Sequence, residues 1–166
     1  MALLAALILG TVVAVAPRAL APPRLSLGTA APAIRLNDAD GLRRDVQGTA
    51  PGRPVLVEFL DTGCAVCRQE VAAVCRLAVV HPNARVVAVD AVGEDGVRLR
   101  QFRRDQGAGC IRFPLLVDPG AMVTHAYGVS AVPTIYLLDS AGRVAYSGVG
   151  AAGVEGAAAA LARIGV

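Results

Sequence analysis

The sequence predicts one α/β domain, a central mixed β-sheet flanked by helices, with a hairpin at its start. Two observations carry this. Short, nearly continuous apolar runs alternate with longer segments of helical periodicity, and the last two strand-like runs are joined by a tight turn. The chain has 166 residues, 55% of them hydrophobic, which is enough for one well-buried core and short for two.

The elements follow in order. Ala33–Leu36 and Leu42–Val46 flank the turn-rich Asn37-Asp38-Ala39-Asp40-Gly41 and read as a hairpin. Pro54–Leu60 is apolar except for Glu58, as in a strand covered on both faces. Cys64–Val80 has helical spacing: Cys67, Val71, Val74, Cys75 and Ala78 recur at offsets of four, seven, eight and eleven, and His81-Pro82-Asn83 ends the run. Arg85–Asp90 is a second buried-type strand and Gly96–Gln106 a charged surface helix. Phe113–Val117 is a strand stopped by Asp118-Pro119-Gly120, and Ala121–Tyr127 a short helix closed by Gly128. Thr134–Leu138 and Arg143–Ser147 form the closing hairpin, and Gly153–Ile164 is the final helix.

Met1–Ala16 contains no charged residue. As a helix it would span roughly 24 Å, slightly short of a hydrocarbon core of about 30 Å. It reads as a signal-peptide core or short anchor, although the nearest charges, Arg18 and Arg24, follow it rather than precede it. Pro17, Pro22 and Pro23 mark a linker, so residues 1–26 form a leader or anchor segment and residues 27–166 the folded domain. The basic residues are all arginine and scattered, and the net charge is +3, so nothing points to a nucleic-acid partner. Gly148-Val149-Gly150-Ala151-Ala152-Gly153 fits GxGxxG, but only thirteen residues follow it, leaving no room for a nucleotide-binding unit. Flexible backbone after the last strand is the expected role.

Cys64 and Cys67 stand at the junction of strand and helix. Cysteines three apart on a helix bring their Cα atoms to about 5 Å, within disulfide range. The first thiol meets the unpaired amides and positive dipole of the helix start, which favour a thiolate. A nucleophile with a resolving thiol one turn inside is what thiol-disulfide exchange requires. A CxxC pair also serves as half of a metal site or as two structural cysteines. There is no second CxxC, and Cys75, Cys110, His81 and His125 lack metal-finger spacing.

A second segment narrows the choice. Val132-Pro133-Thr134 opens an otherwise buried strand, 66 residues after Cys67. Strand-CxxC-helix followed by Val-Pro-Thr-strand resembles the thioredoxin superfamily. Gly28-Thr29-Ala30-Ala31-Pro32, the Asp-Gly hairpin, Phe113–Asp118 and Ala126–Val129 make the chain similar to its extracytoplasmic TlpA/ResA redoxin group over residues 27–166. The resemblance implies a thioredoxin-like fold with a central strand and helix insertion. It implies Cys64 as nucleophile, Cys67 as resolving cysteine, and Pro133 as a cis-proline beside the disulfide. Gly63, Val132 and Thr134 then fall where substrate is contacted.

Glu70 matches an acidic residue that tunes the thiols in that group, and Glu58 falls where thioredoxins keep a buried carboxylate. Burial in an apolar strand raises a carboxyl pKa toward neutrality by itself, which suits proton exchange with a resolving thiol. The implied activity is protein-disulfide oxidoreduction on the extracytoplasmic side of a bacterial membrane, as a reductant in a role like cytochrome c maturation. No cofactor is expected beyond the Cys64-Cys67 disulfide, and the expected partners are protein thiols or disulfides and a membrane or extracytoplasmic electron donor, with neither nucleic acid nor nucleotide. Gly63 stands where an aromatic residue is usual, and Ala65-Val66 lack the proline often found between the cysteines, so substrate contact and potential depart from the pattern.

Alternatives remain. Cys64, Cys67 and His125 would serve a copper-carrying module, although related carriers space the cysteines by three residues rather than two. A thiol peroxidase would need a Thr-x-x-Cys arrangement that is not evident. Cys75 lies about 12 Å along the helix from Cys67 and cannot join the pair. Cys110 is the candidate partner of Cys75 for a disulfide in an oxidising compartment, and the alternative is two buried thiols packing as small apolar groups.

Overall fold

The structure is a computed structural model that describes residues 23–47, 52–107 and 109–165. Residues 1–22 of the proposed leader or anchor segment, residues 1–26, lie outside the described residues. The short hairpin β1 (Arg35–Asp38) and β2 (Arg43–Asp45) comes first, its turn held by the carboxylate of Asp38, which accepts from the amides of Asp40 at 3.0 Å and Leu42 at 2.9 Å. Then follow β3 (Val55–Leu60), α1 (Ala65–Val80), β4 (Arg85–Asp90) and α2 (Gly96–Asp105). β5 (Leu115–Val117), a 3-10 turn over Pro119–Ala121, α3 (Met122–Ala126), β6 (Thr134–Leu138), β7 (Val144–Val149) and α4 (Gly150–Arg163) complete the chain.

The strands form one mixed sheet in the order β2-β1-β5-β4-β3-β6-β7. β3, β4 and β5 run parallel, and β6 lies antiparallel to β3 with Phe59 opposite Thr134 and Glu58 opposite Ile135. All six residues of β3 are buried, as its continuous apolar run requires of a central strand covered on both faces. One face packs Leu56 and Leu60 with Cys67, Val71 and Val74 of α1, Leu99 and Phe102 of α2, and Val154, Ala157 and Leu161 of α4. The other packs Val57 and Phe59 with Tyr127 and Tyr136, whose rings lie 5.2 Å apart at 78°. The hydroxyl of Tyr136 donates to the carbonyl of Tyr127 at 2.6 Å and accepts from the amide of Leu25 at 3.2 Å, so chain before residue 27 already packs on the sheet.

Several boundaries differ from those read in the sequence, β1 running two residues later than Ala33–Leu36 and β7 reaching Val149 rather than Ser147, and two further differences have a plain physical cause. β5 starts at Leu115 rather than Phe113, because Pro114 has no amide for the ladder; its carbonyl still accepts from Ala88 at 3.0 Å. α4 starts at Gly150, three residues early, so the GxGxxG stretch is not a flexible connection. Gly148 lies in β7 and Gly153 in the first turns of α4, and a Cβ on Gly153 would stand 2.8 Å from the carbonyl carbon of Gly148. The glycines allow helix and strand backbones to touch.

Candidate active site

β3 delivers the chain to the site. At its end Asp61 makes a turn, its carboxylate accepting from the amide of Gly63 at 2.7 Å and its carbonyl from the amide of Cys64 at 3.1 Å. Cys64 is the N-cap of α1, and its sulfur accepts a hydrogen bond from the amide of Cys67 at 3.1 Å. A thiol in the place of the usual capping hydroxyl receives an otherwise orphaned helix amide. Both cysteines are free thiols, Cys64 half-buried and Cys67 fully buried.

The two thiols are therefore chemically unequal. Burial, reinforced by the hydrogen bond with Cys64, pushes the Cys67 thiol up to about 12, while a backbone hydrogen bond with Asp61 pulls the other way. Cys67 stays protonated until something removes its proton. Glu58 lies on the same sheet face as Leu56 and Leu60, fully buried, with neither carboxylate oxygen receiving a hydrogen bond. Burial raises its pKa to about 8, and the charge of half-buried Glu70 on α1 adds to the rise. A carboxyl titrating just above neutrality and interacting electrostatically with a buried thiol is suited to exchange a proton with it.

Pro133 is buried at the head of β6, beside the end of β3, and the Val132–Pro133 peptide is cis. Val132 is half-buried against the α1 face, and Thr134 is buried with its hydroxyl donating to the carbonyl of Ala131 at 2.6 Å. The predicted residues Glu58, Gly63, Cys64, Cys67, Glu70, Val132, Pro133 and Thr134 thus gather around the start of α1. Cys75 and Cys110 do not belong there. They are joined in a disulfide between α1 and the segment before β5, with Cα atoms 5.5 Å apart. His125 is exposed on α3, and among the described residues no three His, Cys, Asp or Glu side chains are arranged to hold a metal.

Further residues shape the site without having been singled out in the sequence. Thr62 is buried and its hydroxyl donates to Glu94 at 2.8 Å; its carbonyl accepts from Arg68 at 2.9 Å. Glu94 also receives Arg98 of α2 at 2.8 Å. Asp90, buried at the end of β4 with one oxygen lacking a partner, has its pKa raised to about 6 by burial. A carboxyl ending a buried strand was visible in the sequence, but its closeness to the cysteine loop comes from the parallel pairing of Leu60 with Asp90.

Comparisons with known proteins agree with this geometry. The model of the AhpC/TSA family matches residues 27–147. The thiol-disulfide oxidoreductase ResA of Geobacillus thermodenitrificans is 29% identical over 122 residues, covering 72% of this chain and 67% of that protein. Among solved structures, a secreted Mycobacterium tuberculosis disulfide oxidoreductase homologous to E. coli DsbE superposes with a TM-score of 0.67 at 16% identity, covering 78% of this chain and 95% of that one. The peroxidoxin BcpB from Mycobacterium tuberculosis superposes with a TM-score of 0.74 at 19% identity, covering 86% of this chain and 100% of that one. At such identities the two structures establish the shared thioredoxin-like fold alone. With the family match running from Leu27 to Ser147, the chain belongs to the AhpC/TSA family.

Proposed function

We propose that this thiol-disulfide oxidoreductase acts as a reductant of cysteines in extracytoplasmic proteins, in a role like cytochrome c maturation. The observation that carries the reading is the capped Cys64 sulfur above a buried, protonated Cys67 with Glu58 beneath. The Cys64 thiolate attacks one sulfur of a substrate disulfide. A mixed disulfide forms, the substrate S–S bond breaks, and the departing thiolate takes up a proton. Cys67 then gives its proton to Glu58 in its ionised form and attacks the Cys64 sulfur; the bond from Cys64 to the substrate breaks, and the second substrate sulfur leaves as a thiolate that takes up a proton. Two electrons pass to the substrate and Cys64-Cys67 is left as a disulfide, which a dithiol donor of the cell envelope must reduce again. Glu70 raises the proton affinity of Glu58, and Pro133 with Val132 and Thr134 borders the place where the substrate segment lies. The Cys75-Cys110 disulfide supports an oxidising compartment.

The test is a redox titration of the protein in glutathione and dithiothreitol buffers, with the Cys64-Cys67 state read by thiol trapping. A two-electron transition on the order of −250 mV or lower is expected of a reductant. One near −120 mV would reverse the proposed direction. No reversible transition would overturn the exchange reading, and peroxide consumption in its place would point to a thiol peroxidase.

A further inference from the structure

We propose that the cavity beside Cys64 on its α2 side is a substrate subsite for an acidic side chain flanking the substrate cysteine, with Arg68 and Arg98 as its specificity-determining residues. The proposal rests on the reading that Cys64 exchanges with protein disulfides. The cavity measures about 350 Å³ and opens between the start of α1 and α2. Thr62, in the cysteine loop, forms one wall. Thr62 lies two residues before Cys64, and the amide of Arg68 donates to the carbonyl of Cys64 at 3.2 Å, so the α1 wall of the cavity adjoins the nucleophile's own backbone. The cavity lies toward β4, whereas Val132 and Pro133 lie toward β6 on the other side of β3, so the two regions flank the thiol from opposite sides.

Its lining is amphipathic. Phe102 and Val97 offer apolar surface to methylene groups, and two guanidinium groups stand on the walls. Each is anchored through Nε, Arg68 to the carbonyl of Thr62 at 2.9 Å and Arg98 to Glu94 at 2.8 Å. Of the opposing charges, Glu94 pairs with Arg98 at 2.8 Å, while Asp105 on the α2 wall accepts from the neutral Gln101 amide at 2.6 Å and has no ion pair among the described residues. Among the described residues Arg68 has no carboxylate partner. A substrate glutamate or aspartate would supply that partner at the Arg68 wall.

The experiment uses the reduced full chain and two disulfide-bonded peptides that differ only in carrying Glu or Gln beside the cysteine. Each exchange rate is divided by that of the same peptide with dithiothreitol, which removes the peptide's own thiol chemistry. The wild-type ratio should favour Glu by on the order of fivefold at low salt, the scale of one partly screened ion pair, and shrink toward one in about 1 M salt. R68Q and R98Q should each lower the ratio and R68E should invert it; a general change in Cys64 reactivity moves both peptides alike and cancels. A wild-type ratio near one, or a ratio untouched by the substitutions, overturns the subsite. Exchange with neither peptide overturns the oxidoreductase reading instead.

Discussion

The amide of Cys67 donates to the sulfur of Cys64 at 3.1 Å, so the resolving residue's own backbone stabilises the nucleophile while its thiol stays buried. The asymmetry predicts which sulfur reacts first. At neutral pH, brief treatment with iodoacetamide should label Cys64 and leave Cys67 unlabelled in the folded protein, read by peptide mass spectrometry. Cys67→Ser should retain the first attack and accumulate the mixed disulfide, visible as an adduct of substrate mass, whereas Cys64→Ser should form none. Equal labelling of both thiols would contradict the inequality.

Glu58 should make the protein less stable as pH rises. Its folded pKa of about 8 lies above its ordinary value of 4.5. Between these values the folded state holds a proton that the unfolded state has released, so the slope of stability with pH is negative across that window and flat above it. The full loss corresponds to on the order of 5 kcal/mol. Urea titrations at pH 5, 7 and 8.5 should show the decline, and Glu58→Gln should flatten it above pH 6, leaving below that the part due to Asp90. The same substitution should slow the second step, release of the mixed disulfide, without abolishing its formation. A wild-type stability that is constant or rises over this range would be incompatible with a carboxyl buried without partners.

What the sequence makes legible is what depends on neighbours along the chain. The strand-to-helix junction, the offsets that place Cys67, Val71 and Val74 on one side of α1, and the parity that puts Glu58 on the face of Leu56 and Leu60 are all local patterns. The contact of Thr62 with Glu94, 32 residues away, and the pairing of Asp90 with Leu60 are set by which strands become neighbours, and no short-range pattern encodes that. The glycines at 148 and 153 show a different limit. Glycine signals either freedom or close approach, and only the packing of α4 on β7 decides between them.

Removing the Cys75-Cys110 crosslink should cost stability and leave the redox chemistry in place. The bridge closes a loop of sequence separation 35, which in the chain-entropy account stabilises the fold by about 3–4 kcal/mol. The Cys75→Ala/Cys110→Ala variant should therefore unfold at lower urea concentration. Its Cys64-Cys67 transition should stay at the wild-type potential, because Cys75 lies about 12 Å along α1 from Cys67. A shifted potential with unchanged stability would reverse the assignment, making the bridge part of the active site rather than a tie between α1 and the segment before β5.

Gly153→Ala should be destabilising although alanine is ordinarily the better helix former. In an exposed helix the exchange gains up to about 1 kcal/mol. Here the added Cβ would meet the Gly148 carbonyl carbon at 2.8 Å, the carbonyl oxygen at 3.1 Å and the Gly148 Cα at 3.5 Å. Those atoms belong to the β7 backbone, which is paired to β6 and cannot rotate away as a side chain could. Relief requires α4 to move off the sheet, disturbing Val154, Ala157 and Leu161 in the core. Overpacking of that kind costs about 1–3 kcal/mol, more than the propensity gain returns. Gly150→Ala separates the two causes. That position has open space around it but a φ of +67°, so its penalty comes from backbone conformation alone, and neighbouring core substitutions should add to it independently. Combined with Leu161→Ala, which vacates space under α4, Gly153→Ala should cost less than the sum of the single changes, while Gly150→Ala should simply add. Thermal unfolding of the three single and two double variants and the wild type distinguishes the two patterns.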